Sequence, residues 1–133
     1  MGYLIDTSIF IAWEREDLDT ANVLQRAADV QVALSAITAS ELLHGVHRAD
    51  SATRRGRREA FVEQVLANVP VLAVDLEVSR AHARIWADLQ QRGATIGAHD
   101  LLIAATAIRH DLTIATRNLR EFARVESLRV EQW

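Results

Sequence analysis

The sequence predicts an α/β fold on a mostly parallel sheet, and three observations carry that reading. Short apolar runs of strand length recur along the chain. They alternate with stretches whose apolar residues follow helical spacing. Two of the early runs end at residues that start helices, Asp6-Thr7-Ser8 and Asp75, and Ser35 to Thr38 leads from another into a helix.

Taken in order, Tyr3-Leu4-Ile5 is a buried strand, and Ile9 to Glu16 continues as helix from the Asp6-Thr7-Ser8 start. Thr20 to Ala28 is a second helical stretch, and Gln31 to Leu34 a second strand. Ala39, Leu42, Leu43 and Val46 mark the next helix by their spacing. Residues 48–58 are polar and read as a loop or helix approach, leading to a helix with Phe61, Val62, Val65 and Leu66 on one face. Pro70 to Val74 is a third strand, with proline first, where a missing N–H is tolerated. Asp75 caps a helix running to about Gln91, and Gly93 is its natural C-terminal stop. Ile96 to Asp100 reads as a loop and Leu101 to Arg109 as a helix buried on most sides. Thr113 to Thr116 is a fourth strand, and Leu128 to Val130 a fifth near Trp133. The expected result is one domain over 1–133 with four to five strands flanked by helices.

Composition removes several functions. The net charge is −3, and all 15 cations are arginine, with no lysine. A P-loop needs lysine, and the five glycines form neither that motif nor a dinucleotide fingerprint. The absence of cysteine excludes disulfides and thiolate zinc sites and fits a reducing cytoplasm. The N-terminus lacks a basic stretch and carries Asp6 inside its apolar run, so neither a signal peptide nor a membrane span is expected.

Three acids stand where acids are uncommon. Asp6 ends a strand, Glu41 sits among Ile37, Leu42 and Leu43, and Asp100 leads the most apolar helix. In a parallel sheet, the carboxyl ends of the strands border the functional crevice. Asp6 and Thr116-Arg117-Asn118 belong there by position. Converging carboxylates raise one another's pKa unless a cation joins them. An oxygen-only set selects a hard ion, Mg²⁺ or Mn²⁺, which can activate water against a phosphodiester. For Asp6 and Asp100 the competing reading is a helix cap, and for Glu41 a buried pair with arginine. For Asp75 the cap is the favoured reading.

The motifs L-I-D-T-S, S-x-x-T-x-x-E-L, H-D-x-x-I-A-A and A-T-R-N-x-x-E-F, in that order, resemble a PIN-domain ribonuclease. The chain is similar, more narrowly, to the VapC toxins of type II toxin–antitoxin pairs. That resemblance covers the whole chain and implies a Rossmann-like three-layer PIN fold. It also implies a metal-dependent endoribonuclease acting on tRNA or ribosomal RNA to arrest growth. Homodimers, assemblies with a VapB-type antitoxin and a cytoplasmic location are further implications. The family's acidic ligands correspond to Asp6, Glu41 and Asp100, holding the metal directly or through water. At the fourth acidic position the chain has Asn118, a candidate to ligate through its amide oxygen or hold a metal-bound water, and Glu121 three residues on is the candidate to substitute for the acid. Thr7, Ser8 and Thr116 would orient the carboxylates through their hydroxyls.

Arg48, Arg54, Arg55, Arg57 and Arg58, with Arg117, are candidates for RNA backbone contact. A solvated face, or contacts with antitoxin or a second copy, is the alternative. His99 reads as structural or substrate-facing, and His44, His47, His82 and His110 as helix-surface residues. Trp13 and Trp86 read as core or dimer aromatics. Two other functions compete: a receiver-like domain with its acceptor at Asp75, and a PIN fold kept as an inactive binding module. The missing lysine counts against the first, and Asn118 is the only support for the second. A haloacid-dehalogenase-like phosphatase would want an acid where Ser8 stands.

Overall fold

The computed structural model describes residues 2–15, 28 and 30–133. The expected helix at Thr20 to Ala28 falls on residues almost wholly outside that set. β1 (Gly2–Ile5), β2 (Gln31–Ser35), β3 (Val71–Leu72), β4 (Thr113–Thr116) and β5 (Val130–Gln132) form one five-stranded sheet in the order β3-β2-β1-β4-β5. Every pairing is parallel. The helices are α1 (Thr7–Glu14), α2 (Ala36–His47), α3 (Ala52–Asn68), α4 (Leu76–Gln91), α5 (Ala98–Arg109) and α6 (Leu119–Phe122).

Alternation along the strands explains the three layers. Leu4, Ala33 and Ile114 point into a core with α4 and α5, through Val78, Ile85, Leu89 and Ala104. Their neighbours Ile5, Leu34 and Ala115 point the other way, into a core with α1, α2 and α3, through Ile9, Phe10, Leu42 and Val62. Successive residues of a strand face opposite sides, so each central strand serves both cores. This is why the strands read as continuous apolar runs.

The order of the strands positions the site. From β1 the chain builds outward through β2 and β3, then returns to place β4 on β1's other side. The reversal leaves a crevice between the carboxyl ends of β1 and β4. Asp6 follows one of those ends, and Thr116 is the other.

Several boundaries differ from expectation. The third strand is Val71–Leu72 rather than 70–74, because its partner β2 ends at Ser35, which caps α2. Val74 is outside the ladder and 37% exposed. The fifth strand is Val130–Gln132 rather than 128–130, and its polar Glu131 and Gln132 give no apolar signal. Residues 52–58 are helical, as the first turns of α3, with Ser51 Oγ accepting the Arg54 N–H at 3.1 Å. Helix α5 begins at Ala98, so Asp100 lies inside its first turn, not before it. Trp86 is no core residue: it is 52% exposed and tilts against His82 at 5.6 Å. Trp13 is half-buried and packs edge-on to Phe61.

Helices α4 and α5 stop in the same way. After α4, Gly93 has φ 67°, its N–H reaches Gln90 O and the Ala94 N–H reaches Leu89 O. After α5, Asp111 takes φ 55°, with matching bonds from Asp111 to Ile108 O and from Leu112 to Ala107 O. Both are left-handed caps satisfying the last carbonyls.

Candidate active site

Asp6 occupies the cap position of α1, yet its side chain makes no cap bond. Its Oδ2 instead accepts from Ser8 Oγ at 2.7 Å and from Thr116 Oγ1 at 2.8 Å. Both hydroxyls are themselves oriented. Ser8 Oγ accepts the Arg117 N–H at 3.1 Å, and Thr116 Oγ1 accepts the Asn118 N–H at 2.8 Å. Each hydroxyl has one proton and spends it on the carboxylate, so the 3.3 Å between Ser8 and Thr116 is a contact without a shared proton. Asp6 is 5% exposed, and among the described residues no arginine or histidine pairs with it.

Glu41 projects from α2. Thr7 Oγ1 donates to Glu41 Oε1 at 2.8 Å and lies 3.1 Å from the buried Thr38 hydroxyl. The shorter, charged acceptor takes the proton. His99 Nδ1 stands 3.6 Å from Glu41 Oε2. Thr38 carried a signal in the sequence, since it lies one helical turn before Glu41 in S-x-x-T-x-x-E-L.

Asp100 feels the other acids. Burial, then repulsion from Asp6, Glu121 and Glu41, pushes its carboxyl from 3.8 up to about 6, with His99 acting in the opposite direction. The structure thus draws Asp6, Glu41, Asp100 and Glu121 into one negative field. Glu121 is already engaged, accepting the Gly97 N–H at Oε1 at 2.9 Å. Asn118 is exposed, and its side chain makes no cap bond to α6.

Donor chemistry and charge fit a hard divalent cation: all the donors are oxygens, and a buried anion lacks a cationic partner among the described residues. Among those residues, however, no three His, Asp or Glu side chains gather closely enough to bind one ion directly. A shell completed by waters, as Mg²⁺ commonly keeps, matches that spacing.

The arginine run divides. Arg58 braces α3 against the rest: it donates from Nε to Glu14 Oε1 at 3.1 Å and from Nη1 to Gly45 O at 2.9 Å. Arg54 pairs with Asp50, and Arg55 donates to Ala49 O. Arg48, Arg57 and Arg117 are exposed. A groove of about 650 Å³ is lined by Thr7, Glu41 and His99 together with Arg15, Arg48 and Arg58. Arg15 was not singled out in the sequence, because it lies apart from the basic run. His44, His47 and His110 are exposed, whereas His82 is half-buried.

Asp75 is a different kind of acid. Its Oδ1 accepts the Val78 N–H at 2.9 Å, capping α4. That removes the acceptor proposed for a receiver.

A parallel sheet with carboxylates at its switch point defines an α/β protein with an acidic centre. Comparison with known proteins makes this specific. Residues 3–128 match the family model of the PIN domain. Ribonuclease VapC1 of Rickettsia felis is 41% identical over 130 residues, covering 98% of this chain and 95% of the relative. The tRNA(fMet)-specific endonuclease VapC of Salmonella typhimurium is 33% identical over 103 residues, covering 77% and 76%. The crystal structure of VapBC2 from Rickettsia felis, bound to a promoter DNA fragment, superposes with a TM-score of 0.90. Its identity is 27%, with 100% of this chain and 99% of that chain covered. The chain belongs to the PIN-domain family and, within it, to the VapC ribonucleases, the toxin half of toxin–antitoxin pairs. PIN-domain ribonucleases as a group depend on divalent metal. Among the described residues, no helix is long and apolar enough to cross a membrane.

Proposed function

We propose that residues 1–133 form a single PIN domain that hydrolyses phosphodiester bonds of structured RNA at Asp6, Glu41 and Asp100, using Mg²⁺ or Mn²⁺. The observation that carries this is Asp6: it is buried at the cap position of a helix but withheld from the backbone by two oriented hydroxyls. A carboxylate that merely began a helix would bond its N–H groups. The bound ion would supply an activated water and offset charge on the phosphate. The chain's own residues supply the rest. Ser8 and Thr116 fix the Asp6 carboxylate, and Thr7 fixes that of Glu41. Asn118, whose side chain makes no cap bond to α6, offers a neutral oxygen two residues after Thr116.

The exposed Arg48 and Arg117 are the better candidates for RNA backbone contact. Arg58 and Arg54 are spent on intramolecular partners. The name of the Salmonella relative directs the first substrate test to tRNA, with ribosomal RNA next. The VapBC superposition supports a cognate VapB-type antitoxin. Neutralisation by that antitoxin, a homodimer within the complex, and action in the cytoplasm against translation follow from the family reading.

The test is cleavage by the purified protein, freed from antitoxin. It should cut tRNA or ribosomal RNA with Mg²⁺ or Mn²⁺, stop with EDTA and recover on adding metal. Cleavage at the same rate in EDTA would overturn the carboxylate–metal reading.

A further inference from the structure

Helix α5, which carries Asp100, starts without a cap of its own. Its cap residue is Gly97, which has no side chain to accept the open N–H groups of the first turn. The Gly97 N–H is instead taken by Glu121 Oε1 at 2.9 Å, from an element 24 residues away. The other Glu121 oxygen faces Arg124 Nη1 at 3.5 Å. That same nitrogen donates to Thr95 O at 2.7 Å, on the segment entering α5. Arg92 ties the segment's far end, donating from Nη2 to Arg124 O at 2.8 Å and from Nε to Asp88 Oδ2 at 2.9 Å. The residue next to Glu121 is Phe122, fully buried in the core shared with α4 and α5. Glu121 therefore stands on a fixed base, its side chain 24% exposed.

Gly97 is also where the two acids approach. A Cβ placed there would lie 3.7 Å from Asp100 Oδ2 and 3.9 Å from Glu121 Oε1. The entry to α5 thus sets how near two like charges come.

We propose that Glu121 is a positioning residue: with Arg124 it latches the start of α5 and so fixes Asp100 in the crevice, rather than lending an oxygen to a cation. The proposal rests on the reading of Asp100 as a metal-holding acid. Its geometry explains why an acid stands at 121 without needing a fourth ligand. One Glu121 oxygen is aimed at the Gly97 N–H and the other faces a guanidinium, so a cation taken there would stand beside a fixed positive charge.

Two variants separate the roles. Glu121→Gln keeps an oxygen for the Gly97 N–H and loses the charge, whereas Glu121→Ala loses both. The latch predicts that Glu121→Ala lowers kcat by about tenfold or more, the range for outer partners of metal sites, with KM for RNA unchanged. Glu121→Gln should recover most of that loss. Hydrogen exchange without added metal gives a readout independent of cleavage. The amides of 97–101 should exchange faster in Glu121→Ala and as in wild type in Glu121→Gln. Mn²⁺ titration by calorimetry should show wild-type affinity in Glu121→Gln. If Glu121→Gln loses Mn²⁺ affinity and activity as fully as Glu121→Ala, Glu121 is a ligand and the proposal is wrong. Unchanged exchange in Glu121→Ala would also overturn it. A wild-type protein that cuts no RNA would refute the assigned function instead, and the exchange result would still stand.

Discussion

Asp6 and Asp75 hold the same place in two parts of the sheet. Each follows an apolar run, and each is the residue before a helix. At the sheet's edge, beyond the two-residue β3, Asp75 binds the Val78 N–H and does what an aspartate usually does there. At the centre, beyond β1, Asp6 makes no such bond and is held by Ser8 and Thr116. The difference arises from what lies beside each one. Asp6 has β4 and its terminal hydroxyl alongside, whereas among the described residues β3 borders no strand but β2. A central strand end can gather side chains from neighbours on both sides, and an edge cannot. Chemistry therefore concentrates where the strand order reverses.

The contrast can be broken most forcefully at Asp6. Asp6→Asn should reduce RNA cleavage by about three orders of magnitude, or ~4 kcal/mol of transition-state stabilisation. The melting temperature should stay near wild type, because no cap bond is lost. A large fall in stability with modest loss of activity would make Asp6 a second Asp75.

Asp100 should give a smaller but double effect, tied to pH. Its folded pKa of about 6 lies above the ordinary 3.8. The folded state therefore holds this proton more tightly than the unfolded chain does, and that advantage is lost as pH rises from about 4 through about 6. In EDTA, Asp100→Asn should melt at the same temperature as wild type near pH 4 and higher above pH 6, while cleavage with metal is largely lost. Melting below wild type at neutral pH would show that Asp100 supports the helix rather than straining it. The wild-type protein's metal affinity should also weaken as pH falls through this range, since protons and metal compete for the carboxylate.

The smallest effect belongs to the edge. Asp75→Ala should cost about 1 kcal/mol of stability, the usual value of such a cap. Activity per folded molecule should be unchanged. Chemical denaturation alongside a cleavage assay measures both, and a catalytic loss would dissolve the distinction between the two aspartates.

The local sequence separates Asp6 from Asp75 only by Ser8, because the second hydroxyl that holds Asp6 is on Thr116, 110 residues away. The motifs D-T-S and A-T-R-N marked both partners, but only the fold joins them. The layered sheet was legible from Leu4-Ile5, Ala33-Leu34 and Ile114-Ala115, since runs buried on both faces leave a plain signal. β5 was displaced because Glu131 and Gln132 are strand residues held by backbone pairing rather than burial. Asp100 resembled a cap because Gly97, which truly begins the helix, has no side chain to announce it. The arginines read as one basic run, but helical geometry turned Arg58 inward to Glu14 and left Arg48 and Arg57 exposed.

The alternation of β1 also acts as a proofreading device. Leu4 fills one core and Ile5 the other, and Asp6 is the next residue along. A slip of one residue would exchange the two side chains between cores of different shape and draw the carboxylate back by ~3.3 Å. Misregister and loss of chemistry are then a single event, opposed by both cores at once. A chain that has packed its interior correctly has thereby already delivered its first acid to the crevice.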